Sequence, residues 1–346
     1  MLPSWLSADQ LEEIARGRLT PAAYDYIAGG AGEELTLREN RAAFARLRLR
    51  PRVLTGVESA TTETFLFGRR LNAPVLVSPM GGPSHELAWP GGVREAAAGA
   101  AAAGVGYMVS ASSVDTLELP GDALVCQVYL NDRDAAARLV EDAERLGYLA
   151  ACVTVDVPVA ALRRRNLRHG VGVPTASEEA VRGGYANPAV YAKPATWADI
   201  EWLRSRSGLP LLVKGIMTAE DASLAVAHGV QGIVVSNHGA RQLDGCLATI
   251  DALPEVAEAV AGRAVVVLDG GVRTSTDVAL ALALGAGAVG VGKAAMWALA
   301  AGGRETVGAY LGALGSELAR TLLLLGAGSP AELGPAHVDR RFAPRA

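Results

Sequence analysis

The chain has 346 residues, half of them apolar and a fifth charged, with a formal net charge of −4. That composition predicts a soluble globular protein with a large core, and one barrel of about 250 residues plus decorations fits the length better than two small domains. The slightly acidic balance and the lack of a basic stripe exclude nucleic acid as a partner.

Three cysteines, Cys126, Cys152 and Cys246, show no metal-ligand spacing. Their odd number, and the apolar neighbours of the first two, predict buried thiols in a reducing compartment, the cytoplasm. The N-terminus, Met1-Leu2-Pro3-Ser4-Trp5, lacks the charged-then-apolar layout of a signal peptide.

Residues 8–46 read as helical, with Ser7 or Asp9 as the first cap and Gly29-Gly30 as a stop after Tyr24 to Ala28. Leu47 to Arg50 alternates, and Thr64-Phe65-Leu66-Phe67-Gly68 reads as part of a hairpin. From residue 73 short apolar runs alternate with amphipathic ones. The strand candidates are 75–78, 106–109, 124–128, 150–155, 211–214, 232–236, 264–268 and 288–291. Helical patterns fall at 91–103, 132–146, 196–206, 218–228, 251–261 and 274–284, and the link between the second and third strands is short and weakly helical. Apolar strands separated by helices are parallel strands covered on both faces, and eight such units make a (β/α)8 TIM barrel. Val278 to Val291 is broken by Gly285, Gly287 and Gly290, so it reads as helix, turn and strand rather than a membrane span. The expected organisation is a single domain over 1–346. It has N-terminal helices and a hairpin over 1–72, a barrel over 73–325, a long lid-like loop at 157–195 and a helical C-terminal tail over 326–346. An open doubly wound sheet is the rival, weakened because no G-x-G-x-x-G follows the first strand.

The C-terminal ends of barrel strands are where sites are built. Here they carry, in order, Pro79-Met80-Gly81-Gly82, Ser110, Gln127 with Tyr129, Thr154 with Asp156, Lys214-Gly215, Ser236 with His238 and Arg241, Asp269-Gly270-Gly271-Val272-Arg273, and Gly292-Lys293. Arg163, Arg164 and Arg165 follow the fourth strand. A histidine beside an arginine has its charged form disfavoured, which suits a neutral base. Glycine turns with cations on the last two strands predict a phosphorylated ligand.

The segment Ser236-Asn237-His238-Gly239-Ala240-Arg241-Gln242 resembles the signature of the FMN-dependent α-hydroxy-acid oxidase and dehydrogenase family, which includes glycolate oxidase, lactate oxidase and mandelate dehydrogenase. Tyr24 to Ala31, Thr154 to Pro158, Leu212 to Gly215 and Leu268 to Arg273 match as well, and the resemblance spans Leu6 to Leu333. It implies oxidation of an (S)-2-hydroxy acid to the 2-oxo acid with FMN as cofactor. His238 would be the catalytic base, oriented by Asp156. Arg241 and Arg163 would grip the substrate carboxylate, with Tyr26 and Tyr129 hydrogen-bonding it and the hydroxyl. Lys214 would stabilise the reduced flavin. Pro79, Met80, Gly81, Ser110, Gln127, Thr154 and Ser236 would contact the isoalloxazine or ribityl chain. Asp269, Gly270, Gly271, Arg273, Gly292 and Lys293 would hold the ribityl end and phosphate. A homotetramer is implied too.

The chain departs from the family pattern at several points. Counting from Asp156 selects Arg163, with Arg164 as the alternative, because Ala161-Leu162-Arg163-Arg164-Arg165 replaces the usual Gly-Arg-Arg-Glu. Lys293 replaces the usual phosphate-site arginine. Ser112 stands where glycolate oxidases carry tryptophan, Gly81 where they carry alanine, and Met80 where a small polar residue is common. Loss of the aromatic ring at Ser112 and of the methyl group at Gly81 predicts a side-chain pocket for an acid larger than glycolate, mandelate-like or long-chain. Residues 157–195 lack the apolar insertion of membrane-bound members, so no membrane contact is expected. The reoxidant, O₂ or another acceptor, stays open, as does the choice between carbanion and hydride routes. Competing readings are another FMN-barrel oxidoreductase or isomerase, or a flavin-binding protein without turnover. The grouping of His238, Arg241 and Arg163 argues against both.

Overall fold

Eight short apolar runs, buried on both faces, form the barrel: Val75–Val77, Gly106–Ser110, Leu124–Val128, Ala150–Thr154, Leu211–Ile216, Gly232–Val235, Val265–Leu268 and Ala288–Val291. The computed structural model describes residues 6–81, 83–111, 117–170 and 195–340. Every neighbouring pair of these strands is parallel, and the eighth closes on the first through Val289↔Val75 and Gly290↔Leu76. This is a closed (β/α)8 barrel. A doubly wound open sheet would leave two edges.

The sequence runs match these strands to within two residues at each end. The intervening helices are Gly92–Ala103, Arg133–Arg145, Trp197–Arg204, Ala219–Ala227, Thr249–Val260 and Ser275–Ala283. Their starts are set locally: Asp132, Thr218 and Thr274 each accept from a backbone amide three residues on. Leu66 and Leu71, on the two strands of the hairpin Thr64–Leu66 and Arg69–Leu71, pack with Leu76, Met108, Val125 and Leu212 inside the barrel. Phe67 joins them at the N-terminal end of the strands, so the hairpin plugs the end opposite the catalytic face.

Three helices precede the barrel: Ala8–Arg18, Pro21–Ala28 and Leu35–Ala45. Ser7, not Asp9, caps the first, in a capping box with Gln10. The second does stop at Gly29, but in extended backbone rather than a left-handed cap. Beyond the eighth strand, Lys293–Leu325 is interrupted at Gly302 and Gly303. Its first part buries Trp297, which stacks on Tyr24 with ring centroids 5.4 Å apart. After residue 326 the described tail consists of two short 3-10 turns and a strand, Val338–Asp339, that pairs antiparallel with Arg48–Leu49. Among the described residues no helix is long and apolar enough to cross a membrane. Ser112 and most of the 157–195 loop lie outside the described residues.

Candidate active site

The sixth strand leads into an unusual turn. His238, Gly239 and Ala240 all have positive φ, at 60°, 62° and 63°. For a residue with a side chain this left-handed conformation costs roughly 1–2 kcal/mol, so surrounding contacts must hold it. Asn237 and Asn40 do much of this. Their buried amides exchange two hydrogen bonds, Asn40 Nδ2 to Asn237 Oδ1 at 2.9 Å and Asn237 Nδ2 to Asn40 Oδ1 at 2.8 Å. Asn237 Oδ1 also accepts from the Ala240 amide at 3.1 Å. The Ala31 amide donates to the Ala240 carbonyl, and Lys293 Nζ donates to the Gly239 carbonyl at 2.9 Å.

The turn aims His238 at the end of the fourth strand. His238 Nδ1 donates to Asp156 Oδ1 at 3.0 Å. In neutral imidazole that leaves Nε2 as the proton acceptor. Burial holds the His238 imidazolium below its usual range, opposed by Asp156 and aided by Lys214. Burial works against the Asp156 carboxylate, yet His238 and Lys214 outweigh it and keep the group below its usual range. The two strands approach closely here because residue 215 is glycine. Its φ is +116°, and a Cβ would lie 2.5 Å from Asp156 Cβ. Gln242 Nε2 fixes the other side, donating to the Asp156 and Val159 carbonyls at 3.1 Å each.

Two arginines share this pocket. Buried Arg241 donates from Nη1 to the carbonyls of Tyr26 and Gly29, at 2.8 and 2.9 Å, and lies over the Tyr26 ring. Among the described residues no carboxylate pairs with it. Burial, and then Arg163, push its guanidinium below the ordinary range, though it stays charged at neutral pH. Arg163 Nε donates to the Arg241 carbonyl at 3.1 Å, and its Nη2 to Gln242 Oε1 at 3.3 Å. Arg164 instead points outward to Glu33, and Arg165 to Glu34. Burial, reinforced by Asp156, pushes the Tyr129 phenol up to about 12, and Lys214, Arg163 and Tyr26 lie within electrostatic reach.

A polar floor lies beside this cluster. Lys214 Nζ donates to Ser236 Oγ at 2.8 Å and lies 3.4 Å from Asp269 Oδ2. Burial opposes its charge, but Asp269 and Asp156 hold the ammonium above its usual range. Ser78, a residue the sequence reading passed over, donates to the same Asp269 oxygen at 3.2 Å. Gln127 Nε2 donates to Thr154 Oγ1 at 3.0 Å, and Ser110 is buried on the adjoining strand. Pro79, Met80 and Gly81 are half-buried at the end of the first strand.

At the far end, the helix at Lys293–Leu325 starts without a side-chain cap. Lys293 sits in its first turn, mostly buried, and among the described residues no carboxylate pairs with it. Gly270 and Gly271 adopt φ of +91° and +96°, and a Cβ on Gly271 would meet the Asn40 carbonyl at 2.1 Å. The Arg273 guanidinium, by contrast, is turned to the N-terminal helix, where Glu12 accepts from Nη1 at 2.7 Å and Asp9 from the same nitrogen. Its backbone amide donates to Asp277 at 2.9 Å.

These residues fit FMN. The uncapped amides and the Lys293 ammonium suit a phosphate, and Asp269 Oδ1, buried without a partner among the described residues, suits a ribityl hydroxyl. Lys214 and the Gln127–Thr154 pair supply donors along the floor.

Comparison with known proteins gives the same answer. The family model "FMN-dependent dehydrogenase" matches residues 15–340. An L-lactate oxidase of Nostoc sp. is 41% identical, over 92% of this chain and 93% of its own. Human 2-hydroxyacid oxidase 2 is 40% identical, over 92% and 94%. Among solved structures, mandelate oxidase with benzoyl-formic acid superposes with a TM-score of 0.86 at 39% identity, covering 94% of this chain and 96% of that one. The chain belongs to the FMN-dependent dehydrogenase family, and it is an oxidoreductase with FMN as its cofactor.

Proposed function

We propose that the enzyme oxidises an (S)-2-hydroxy acid to the corresponding 2-oxo acid. The observation that carries this reading is one cluster: His238, hydrogen-bonded to Asp156, beside buried Arg241 and half-buried Arg163. Two adjacent guanidinium groups call for an anion, and a planar carboxylate matches their fork geometry. A substrate gripped there brings its hydroxyl-bearing carbon to the imidazole. His238 Nε2 takes a proton from the substrate's CH–OH group, and Asp156 stabilises the imidazolium that results. Tyr26 and Tyr129 orient the acid through their hydroxyls. Bound FMN supplies the two-electron acceptor at this site. Lys214, held charged by Asp269 and Asp156, offsets negative charge that develops on the polar floor.

The substrate is larger than glycolate in this reading. Gly81 stands at the end of the first strand, where the glycolate-oxidase pattern keeps a methyl group. The structural neighbours include mandelate oxidase bound to benzoyl-formic acid, an aromatic 2-oxo acid. The test is anaerobic mixing of the yellow enzyme with glycolate, lactate, mandelate and 2-hydroxyoctanoate, followed by air. Faster bleaching with mandelate or 2-hydroxyoctanoate than with glycolate supports the proposal, and recovery of colour in air identifies O₂ as a competent acceptor. A preference for glycolate overturns the size assignment. No bleaching with any 2-hydroxy acid overturns the reaction.

A further inference from the structure

Lys293 belongs to two parts of the site at once. It occupies the first turn of an uncapped helix at the phosphate end, and its ammonium donates to the carbonyl of Gly239, the residue next to His238. That carbonyl lies in the middle of the left-handed run at 238–240, where two residues carry side chains in a strained conformation. An ammonium has three N–H donors, so one can stay on Gly239 while the others face a phosphate.

We propose that Lys293 couples the two ends of the site: the cation that meets the FMN phosphate also fastens the turn that presents His238, so that loading the phosphate end tightens the catalytic turn. The inference rests on the FMN site described above. Its physical basis is charge. Burial, with Arg241 adding to it, disfavours the protonated form of Lys293; the Glu34 carboxylate opposes this from a distance, but among the described residues no carboxylate forms an ion pair with this ammonium. A phosphate dianion supplies a counter-charge in direct contact, favours the protonated form, and so strengthens the N–H···O bond to Gly239. Lys293 is therefore a positioning residue for His238.

Hydrogen–deuterium exchange of the segment 237–241 reads the turn directly, without turnover. The chain is prepared free of flavin and then saturated with FMN or with riboflavin, which lacks the phosphate. Fluorescence quenching reports the bound fraction. In the wild type, FMN is expected to slow exchange of the Ala240 amide about tenfold more than riboflavin does, the scale of one charge-assisted hydrogen bond. In Lys293→Met the two flavins should protect the turn equally, and Lys293→Arg should restore a difference. Arg304→Gln, on an exposed pair with Glu95, controls for general loosening. Equal protection by FMN and riboflavin in the wild type overturns the coupling alone. So does a phosphate-dependent gain that survives in Lys293→Met. Failure to bind either flavin overturns the FMN site and the coupling with it.

Discussion

His238 donates from Nδ1 to Asp156 Oδ1 across 3.0 Å, which joins the ends of the sixth and fourth barrel strands and fixes which imidazole nitrogen faces the substrate. Removing the ring should leave flavin binding intact and abolish proton transfer. His238→Ala is expected to lower the rate of substrate-driven flavin bleaching by about 10²–10⁴-fold, the usual contribution of a general base. Asp156→Asn should retain the ring but lose the anion that stabilises its protonated form. Unchanged bleaching in His238→Ala would refute the assignment.

The pH dependence follows from the same pair. Burial holds His238 below its usual range, so the neutral base is already populated at pH 7. The rate of bleaching should be flat around neutrality. It should fall as pH drops through the depressed value, an acid limb lying below the ordinary imidazole figure of about 6.5. Asp156 raises the imidazole pKa, so Asp156→Asn should move that limb still lower. A limb above about 6.5 in the wild type would contradict the burial argument.

Arg163 and Arg164 are adjacent in sequence and opposite in placement. Arg163 packs on the Arg241 segment, whereas Arg164 pairs with Glu33 at the surface. Arg163→Leu should raise KM for the 2-hydroxy acid by about 10–100-fold, the range of a charged hydrogen bond. Arg164→Gln should change it by less than about twofold, since exposed ion pairs contribute little. Steady-state kinetics of the two variants, side by side, decide between them.

Gly215 offers a test of positioning. A methyl group there would press on Asp156 Cβ and Cγ, at 2.5 and 2.7 Å, in a backbone conformation that disfavours side chains. Gly215→Ala is expected to displace Asp156 and lower kcat by about 10²-fold, the loss typical of a 1 Å misplacement. FMN affinity, measured by fluorescence quenching, should change far less than kcat.

The barrel was legible because its strands are continuous apolar runs, and the polar residues that break them mark the catalytic face. His238, Asp156, Lys214 and Ser236 all stand at such breaks, and the structure brings them within hydrogen-bonding or ion-pair distance of one another. What the sequence concealed was pairing at long range. Asn40 sits in a helical stretch of mixed charge and reads there as a surface residue. Its amide instead closes on Asn237, 197 positions away. Ser78 carries no pattern of its own, and its role depends on Asp269 from the seventh strand end. Arg273 follows a glycine pair as a phosphate cation would, but only tertiary structure reveals the two carboxylates of the first helix on its guanidinium. The choice between Arg163 and Arg164 likewise needed the direction of each side chain, which a run of three arginines does not encode.

The hairpin under the barrel has a consequence for traffic. With Leu66, Phe67 and Leu71 packed into the lower end, the described residues leave no open route through the strands, so His238 is approached from the opposite face. Incoming acid, departing keto acid and the final electron acceptor must take turns at a single doorway.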